Sequence, residues 1–474
     1  MSNLTYNSFR RNLFFNFLFA LLFILNVNQY LFSQNLPAEK FAQYYLLADQ
    51  IIKSALRERK GYEWLKELCE KGPRLSGSKN SLRAIEWAKE KMEKLNLDSV
   101  WLQPVMVPYW ERGKNETAVI TSGSFSQKHL NILALGGSVP TPTTGITAQV
   151  IEIKNFSELS EKKEQVKNKI VFFSRPIDQG SVNTFSGYGN AVDQRSVGAI
   201  YAARYGAAGV LIRSVTTKFD NAPHTGLTNY SDTIPKIPAA ALGYLDADFL
   251  SEALKKDPNL KLKMILNCKT LPDAKSFNVI GEIKGSTYPD EVIVVGGHFD
   301  SWDVGCGAHD DGAGCIQALE VLDIFKRLDI KPKRTIRCIF FINEENGSRG
   351  GIKYGEWADS SEDIHVAAIE SDRGAFTPRG FYVDSDSITL AKIHSWLPIL
   401  QPAYIEWIRK GGSGVDISYI KNTKSKLGFV PDDQRYMDIH HSANDVFEEV
   451  HPREMELGTA AIAIMTLLLS EEGL

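Results

Sequence analysis

The sequence has almost no excess of charge of either sign. Its 54 lysines and arginines are matched by 57 aspartates and glutamates, which gives a formal net charge of −3 over 474 residues. Proteins that bind nucleic acid through its phosphates usually present a clear excess of positive charge. We therefore expect no nucleic-acid partner. The length and the ordinary globular composition together predict two or three domains.

Cysteine is also scarce. The five in the chain are Cys69, Cys268, Cys306, Cys315 and Cys338. An odd number at irregular spacing argues against a disulfide framework, although one bridge is compatible with an exported protein. No CxxC pair is present, and we therefore interpret Cys306 and Cys315, which flank a Gly-rich loop, as structural.

A run long enough to span a membrane is also lacking: no later segment looks transmembrane, and the one candidate lies near the N-terminus. There, Arg10 and Arg11 precede the apolar run 13–25. A charged start followed by a short apolar run is typical of a signal peptide, which we predict at residues 1–33. The alternative is an uncleaved membrane anchor, but the run is short for a span. The mature protein is accordingly expected to be exported, secreted or periplasmic, and free of the membrane.

The periodicity of the sequence changes twice along the chain. Apolar residues recur at helical spacing over 38–70 and 79–95. The loop KGPRLSGSKN between them is either a plain connection or part of a site. Short strand-like runs separated by Gly and Pro then fill 117–271. That region carries no catalytic signature, and its His224 is an isolated polar residue. From about residue 276, strands alternate with helices, which predicts a sheet covered on both faces.

One stretch organises the second half of the chain. Residues 296–314 read GGHFDSWDVGCGAHDDGAG. They follow the apolar run 291–295 and precede a helical pattern. His298 is therefore expected at the end of a buried strand, and Asp310 in a Gly-rich loop before a helix. A neutral imidazole and carboxylates at such a point suit a divalent metal better than a packed core.

Two further predicted strands end in similar residues. TIRCIFFIN leads to Glu344 and Glu345, and HVAAIES leads to Asp372. Ligands of α/β sheets bind at the carboxyl ends of strands, so three such ends predict a metal site. Adjacent glutamates leave the backbone in different directions, so one can bind metal while the other faces a water. A late stretch, HHSANDV, supplies His440 and His441.

These stretches resemble a known family. GGHFDSWDVGCGAHDDGAG, FFINEENGSRGG, ESDRGAF and HHSANDV are similar to motifs of the zinc exopeptidase superfamily of aminopeptidases and glutamate carboxypeptidases. The resemblance runs over nearly the whole mature chain. It implies an α/β zinc-exopeptidase fold with a mixed central β-sheet covered by helices on both faces. It also implies a protease-associated-like domain at 117–271, inserted between catalytic parts 34–116 and 272–474, and a homodimer.

The same resemblance implies roles for individual residues around two Zn²⁺ ions per chain. One zinc is bound by His298, Asp310 and Asp372, and the other by Asp310, Glu345 and His441, with Asp310 bridging. Glu344 is the implied general base. Asp300 is the second implied catalytic residue, which orients His298; a loop-capping role is its alternative. Asp445 is expected to support His441 in the same way, and His441 fits the family pattern better than His440.

The substrate is less well defined by the sequence. Arg373 either binds a substrate carboxylate or pairs with a nearby acid. Residues 421–436 are expected to form a polar loop that shapes the pocket. The expected function is hydrolysis of dipeptides or short peptides, of carboxypeptidase or dipeptidase type, with an aminopeptidase as the alternative. A non-catalytic binding protein and a single-zinc glutaminyl cyclase on the same fold are disfavoured, because every ligand position is filled.

Overall fold

The computed structural model describes residues 36–474. The signal peptide predicted at residues 1–33 lies outside the described residues. Within 36–474, no helix is both long enough and apolar enough to cross a membrane.

Regular secondary structure extends over most of residues 36–474. The helices are α1 (Ala38–Glu58), α2 (Lys60–Cys69), α3 (Lys79–Lys94), α4 (Phe156–Glu161), α5 (Lys163–Val166), α6 (Thr184–Gly189), α7 (Asp193–Ser196), α8 (Gly198–Arg204), α9 (Tyr244–Lys256), α10 (Ala313–Arg327), α11 (Arg349–Ser360), α12 (Ser387–His394), α13 (Leu397–Leu400), α14 (Tyr436–Ile439) and α15 (Pro452–Glu472). The strands are β1 (Ser99–Glu111), β2 (Thr117–Ile120), β3 (His129–Leu130), β4 (Ile132–Ala134), β5 (Ile146–Ile153), β6 (Ile170–Phe173), β7 (Gly209–Arg213), β8 (Ala239–Leu242), β9 (Lys261–Ile265), β10 (Lys269–Ile283), β11 (Tyr288–His298), β12 (Arg334–Phe341), β13 (Ile364–Ser371), β14 (Pro378–Asp384), β15 (Trp407–Lys410) and β16 (Thr423–Pro431).

The first sheet has eight strands in the order β1-β10-β12-β11-β13-β16-β14-β15. Its centre is parallel, because β11 pairs in parallel with both β12 and β13, and β13 with β16. Antiparallel pairs stand on both sides of this centre, β1 with β10 and β14 with β16. The sheet is therefore mixed, as predicted. The parallel centre brings the carboxyl ends of β11, β12 and β13 to one edge.

Helices cover both faces of this sheet, which confirms the predicted fold class. Successive residues of a strand point to opposite faces. Val292 and Val294 of β11 pack into the cluster that contains Tyr354 of α11. Ile293 and Val295 pack into the larger cluster that contains α10 and α15. All four side chains are at most 1% exposed, and burial of each contributes about 1.5–3 kcal/mol.

A second sheet of eight strands has the order β3-β2-β9-β5-β6-β7-β8-β4. Strands β5, β6, β7 and β8 run parallel to one another. All its strands lie between Thr117 and Ile265. The division of the chain into domains at 117 and 271 stays a prediction.

The structure differs from the sequence prediction at residues 421–436. Nine of these residues form β16, which pairs with β13 and β14 inside the first sheet. The prediction of a polar loop was wrong, because the lysines occupy only the first half of the strand. Leu427, Phe429 and Val430 in its second half are buried.

Two local features connect the N-terminal helices to the first sheet. The predicted helical stretch 38–70 is divided at Arg59, whose left-handed backbone (φ 53°) ends α1. Cys69, the last residue of α2, forms a disulfide with Cys306 across 237 residues of sequence. The bridge ties α2 to the stretch 296–314. The other three cysteines are free and buried.

Candidate active site

Three loops leave the parallel centre of the first sheet at the same edge and carry the predicted ligands. His298 is the last residue of β11, Glu344 and Glu345 follow β12, and Asp372 follows β13. Together with His441, their side chains line a cavity of about 220 Å³. The parallel pairing thus brings the first four of these residues to one edge, and the folded chain adds His441, which lies 143 positions after His298 in the sequence.

Asp310 lies between two histidines. Its Oδ1 is 3.1 Å from Nε2 of His298, and its Oδ2 is 3.4 Å from Nε2 of His441. His298 Nε2 is also 3.4 Å from Oδ1 of Asp372. His441 Nε2 is 3.0 Å from Oε2 of Glu345. The five predicted ligands therefore form one continuous row, whose central carboxylate offers one oxygen to each side.

The donor set fits a divalent metal. Imidazole nitrogens and carboxylate oxygens are ordinary zinc ligands. One donor atom each of His298, Asp310 and Glu345 lies within 4.8 Å of the other two, a spacing that suits bound metal. Asp310 Oδ2 and Glu345 Oε1 are buried and accept no hydrogen bond from any described residue. Unsatisfied buried carboxylate oxygens are costly, and a bound cation would satisfy them.

The charges in the cavity also favour a bound metal ion. Burial, reinforced by Asp310, raises the pKa of Glu345 well above its usual value. Burial, reinforced by Asp372, raises the pKa of Glu344 to about 8. Although burial opposes it, Asp372 and Asp310 raise the pKa of His298 well above its usual value. The cavity thus holds more negative charge than its histidines balance, and bound divalent cations would reverse this imbalance.

His440 is the neighbour that competes with His441 as a ligand. Its Nε2 is 3.8 Å from Asp310 Oδ2, against 3.4 Å for His441. Its ring stacks on that of His441, with 3.5 Å between the ring centroids. His441 alone of the two also lies within 4.0 Å of Glu345. The geometry therefore favours His441.

Asp311 competes with Asp310 in the same way, since it lies near His298 and Asp372. However, its Oδ2 accepts the main-chain N–H of His298 and its Oδ1 that of Gly314, each at 3.0 Å. A carboxylate with both oxygens engaged by the main chain is a poor candidate for a ligand. Asp311 instead holds the end of β11 to the start of α10.

Asp300 contacts both His298 and Glu344. Its main-chain carbonyl, not its carboxylate, faces Nδ1 of His298 at 3.0 Å. Its Oδ1 accepts the main-chain N–H of Glu344 at 3.0 Å. Asp300 is fully buried. It orients the imidazole through its main chain and the Glu344 backbone through its side chain.

Asp445 supports a different ligand from the one expected. Its two carboxylate oxygens accept the main-chain N–H groups of His309 at 2.8 Å and of Asp310 at 3.1 Å. Burial, reinforced by Asp310, raises its pKa to about 7. Asp445 therefore fixes the loop that presents Asp310, whereas the sequence pattern placed it next to His441.

Comparison with known proteins identifies the family. Residues 278–463 match the sequence pattern of peptidase family M28. Carboxypeptidase Q of Bos taurus is 35% identical over 438 residues, which cover 91% of this chain and 90% of that protein. The chain belongs to peptidase family M28. The superfamily resemblance of its motifs is thereby confirmed, and the chain is a metallopeptidase of exopeptidase type.

Solved structures place this M28 peptidase in the same fold. The Peptidase M28 precursor from Shewanella amazonensis has a TM-score of 0.86 at 31% identity, over 91% of this chain and 97% of that chain. A zinc aminopeptidase from Bacillus subtilis has a TM-score of 0.60 at 22% identity, over 85% and 93% of the two chains. The second likeness shows the fold alone. Zinc is the metal that the family and the donor set support.

Arg74 is a residue of the site region that the sequence did not single out. It lies in the KGPRLSGSKN loop and is fully buried. Its guanidinium donates to the main-chain carbonyls of Phe299 at 2.7 Å, of Gly307 at 2.9 Å and of Cys306. These carbonyls belong to the segment between His298 and Asp310. The loop is therefore part of the site, since it fixes the separation of two predicted ligands.

The second sheet also reaches the site of the M28 peptidase. His224 Nδ1 lies 2.6 Å from the main-chain carbonyl oxygen of His440. The N–H of Thr225 donates to the carbonyl of His441 at 2.8 Å. His224 thus supports the histidine segment and is not a ligand. Nothing in the sequence signals this contact, because the two segments lie 216 residues apart.

Two arginines stand near the row of ligands. Arg195, in α7, lines the same cavity, and its Nη1 lies 3.2 Å from Nδ1 of His441. Arg373, singled out by the sequence, lines an adjoining cavity of about 430 Å³ together with Asp372. Its guanidinium carbon lies 4.3 Å from the ring centroid of Phe185. Sequence reasoning missed Arg195, because α7 is a four-residue helix in a region without motifs.

Proposed function

We propose that this M28 peptidase is an exported dinuclear zinc exopeptidase that hydrolyses dipeptides and short peptides as a carboxypeptidase or dipeptidase. One observation carries the proposal: Asp310 offers Oδ1 towards His298 and Oδ2 towards His441. A carboxylate in that position suits two metal ions that share it. The likeness to carboxypeptidase Q over nine-tenths of the chain supports the carboxypeptidase type.

The row of ligands divides into two zinc sites that share Asp310. His298 and Asp372 complete one, and Glu345 and His441 complete the other. Zinc held by these residues would supply Lewis-acid chemistry, polarising the scissile carbonyl and lowering the pKa of the attacking water.

Glu344 is the proposed general base. It takes a proton from the attacking water and passes it to the leaving amine. Its side chain lines the cavity beside the ligands. Its main-chain N–H is held by Asp300. Because Glu345 is next to it on the chain, one short loop supplies both a ligand and the base.

An aminopeptidase is the second candidate, because the adjoining cavity contains the carboxylates of Glu370 and Asp372. Carboxylates in such a place suit a substrate α-amine. However, both oxygens of Glu370 already accept main-chain N–H groups, those of Val415 and Ile417 at 2.8 Å each. Arg373 lines the same cavity and would attract a carboxylate instead. This mixed charge favours the carboxypeptidase or dipeptidase type.

The test combines metal content with a panel of dipeptides that are free, blocked at the amine, or blocked at the carboxyl end. We expect about two zinc ions per chain and cleavage that is lost when the carboxyl end is blocked. Cleavage lost only when the amine is blocked would identify an aminopeptidase. Zinc-loaded protein that cleaves none of the peptides would overturn the proposed activity.

Export and self-association complete the proposal. N-terminal sequencing of the protein from its host is expected to begin near residue 34, at the end of the predicted signal peptide. Light scattering of the purified protein is expected to give the mass of a homodimer. An N-terminus at Met1 or a monomer mass would contradict these two parts separately.

A further inference from the structure

Arg373 is a half-buried cation without an acid partner in the described part of the chain. It comes directly after Asp372, in the loop that follows β13, and it lines the adjoining cavity of about 430 Å³. Its guanidinium donates no hydrogen bond to residues 36–474 and has no carboxylate within 4.0 Å. By contrast Arg379, on the next strand, pairs with Asp432 and Glu406 at 2.9 Å each. The N–H groups of Arg373 are therefore available to a ligand in the cavity.

Two aromatic rings hold this guanidinium in place. Its carbon lies 4.3 Å from the ring centroid of Phe185 and 5.7 Å from that of Tyr382. Both distances are within the range of about 6 Å over which a cation is attracted to a ring. Phe185 belongs to α6 and Tyr382 to β14, and both line the adjoining cavity. A guanidinium that lies against rings keeps its N–H groups free, and these are the groups that bind a carboxylate.

The segment that carries Phe185 is itself attached to the first half of the site. Oγ1 of Thr184 donates to the main-chain carbonyl of Asp433 at 2.7 Å. Nε2 of Gln434 donates to the main-chain carbonyl of Val182 at 2.8 Å. These two hydrogen bonds hold the residues on either side of the ring. The cation is thus positioned before a substrate arrives, which lowers the entropic cost of binding to it.

The two carboxylates that line the adjoining cavity have other partners. Both oxygens of Glu370 accept main-chain N–H groups at 2.8 Å. Oδ1 of Asp372 lies 3.4 Å from Nε2 of His298, on the side of the predicted zinc site. Among the described residues that line this cavity, Arg373 alone is cationic. A ligand that enters the cavity therefore meets a positive charge that no acid compensates, and a carboxylate is the group that suits it.

The place of Arg373 indicates which substrate carboxylate it meets. Phe185 and Asp372 line both cavities, whereas Arg373 lines only the adjoining one. The terminal carboxylate of a dipeptide is attached to the Cα next to the scissile nitrogen, so it stays beside the predicted ligands. A side chain can extend from there past Asp372. The cavity has the volume of an ordinary ligand pocket, roughly 300–1,000 Å³, and the space beside Gly412 is open.

We infer that Arg373 binds the side-chain carboxylate of a substrate residue and so makes the enzyme prefer dipeptides that contain glutamate or aspartate. This inference rests on the proposed exopeptidase function and names a substrate class for it. The guanidinium can hold the carboxylate with two parallel N–H donors. An uncharged amide of the same shape gains much less from a cation. The preference for an acid over its amide is therefore the property to measure.

The test measures binding without turnover. The zinc-loaded mature protein carrying Glu344→Gln is titrated calorimetrically with glutamyl-alanine and alanyl-glutamate, each against its glutamine counterpart. At one of the two positions we expect glutamate to bind about 5- to 50-fold more tightly than glutamine, as for a half-exposed charged hydrogen bond. Adding Arg373→Met should reduce this preference to about twofold or less, and Arg373→Lys should recover part of it.

The matched control is Arg204→Met in the same background. The guanidinium carbon of Arg204 also lies over a ring, at 4.9 Å from the centroid of Tyr201. Arg204 is exposed and lines neither cavity. This variant should keep the preference for glutamate, so that only the cation of the adjoining cavity accounts for it.

The outcomes separate the inference from the proposed function. No preference at either position, a preference that survives Arg373→Met, or one that disappears in Arg204→Met overturns the assignment. Equal weakening of glutamate and glutamine peptides also overturns it, since an arginine that binds the terminal carboxylate or only positions Asp372 would act on both alike. Zinc content is measured for every variant. If Arg373→Met loses zinc, retention of the preference by Arg373→Lys supports the assignment and its loss overturns it. Zinc-loaded protein that binds none of the four dipeptides overturns the exopeptidase function itself.

Discussion

The two sheets of this peptidase are alike in size but differ in what their strand ends carry. Each has eight strands and a parallel centre. In the first, the ends of β11, β12 and β13 deliver histidine, glutamate and aspartate to one cavity. In the second, the segment after β7 delivers hydroxyl groups instead: Thr216 Oγ1 donates to the carbonyl of Met437 at 2.8 Å. The first sheet therefore supplies predicted metal ligands and the proposed base. The second sheet supports the segment that leads to His440 and His441.

The supported segment is the one that carries the late histidines. His441 has a left-handed backbone (φ 60°), which is uncommon for a residue other than glycine and persists where the surroundings hold it. The hydrogen bonds from Thr216, His224 and Thr225 supply that constraint from the second sheet. Asp445, a few residues further on, ties the same segment to Asp310. His441 is thus positioned from both sides.

The largest effect expected is on the rate, from a change at the first sheet. Glu344→Gln should lower kcat by about 10²–10⁴-fold or more and leave zinc content unchanged, because only the base is removed. Steady-state kinetics and metal analysis measure the two quantities. The matched control is Glu152→Gln, a carboxylate of β5 in the second sheet, which should leave kcat unaltered. Retained activity in Glu344→Gln would show that Glu344 is not the general base.

Metal binding distinguishes the two late histidines. His441→Ala should lose about one of the two expected zinc ions, because this imidazole faces both Asp310 and Glu345 at 3.4 and 3.0 Å. His440→Ala should lose far less, because its Nε2 is 3.8 Å from Asp310 and its ring stacks on that of its neighbour. Zinc analysis after dialysis is the measurement. The reverse order of loss would show that His440 is the ligand.

A change in the second sheet should weaken the site without removing a ligand. His224→Ala deletes the imidazole that faces the His440 carbonyl at 2.6 Å. We expect zinc affinity or activity to fall by about 10- to 100-fold, as for other residues that orient metal ligands. Competition with a chelator measures the affinity. His129→Ala, at an exposed histidine of β3, is the control. Equal affinities of the two variants would show that the second sheet does not support the site.

The smallest effect expected is on the free energy of unfolding, from a pair of buried glutamates that lies outside the site. Glu320 of α10 and Glu456 of α15 are fully buried side by side. Burial, reinforced by the proximity of Glu456, raises the pKa of Glu320 well above its usual value. A raised pKa favours the protonated carboxyl in the folded state. The protonated Glu320 carboxyl therefore stabilises the fold below its unfolded-state pKa, and this contribution is lost as the pH rises through its folded-state pKa.

Glu320→Gln removes this loss. We expect the variant to gain on the order of 1 kcal/mol in free energy of unfolding at about pH 8–9 and little or nothing near pH 4. Denaturant unfolding at both pH values measures the difference. Glu86→Gln on α3 is the control, because Glu86 is exposed, and it should change the free energy of unfolding little at either pH. A gain that is independent of pH would show that the pair does not titrate as described.

More of the site could be predicted from the sequence than of the secondary-structure elements around it. His298, Glu345 and Asp372 were predicted from apolar runs that end in ligand residues, and the structure brings them to one cavity. Strand β16 was missed, because its first half contains two lysines and its place inside the sheet depends on pairing with β13 and β14. The role of Asp445 was misplaced for a similar reason: its partner Asp310 lies 135 residues away.

Short-range patterns were enough to predict the α/β class, the family and the identity of the expected ligands. An apolar run followed by His, Glu or Asp is readable within about ten residues, so no long-range contact is needed to recognise it. The surroundings of those ligands became visible only after folding. Arg74, Arg195 and His224 lie in segments without a metal-ligand pattern, and their importance arises from what they face in the folded chain. A buried guanidinium or imidazole acquires its role from its partners, and in this protein those partners lie far away in the sequence.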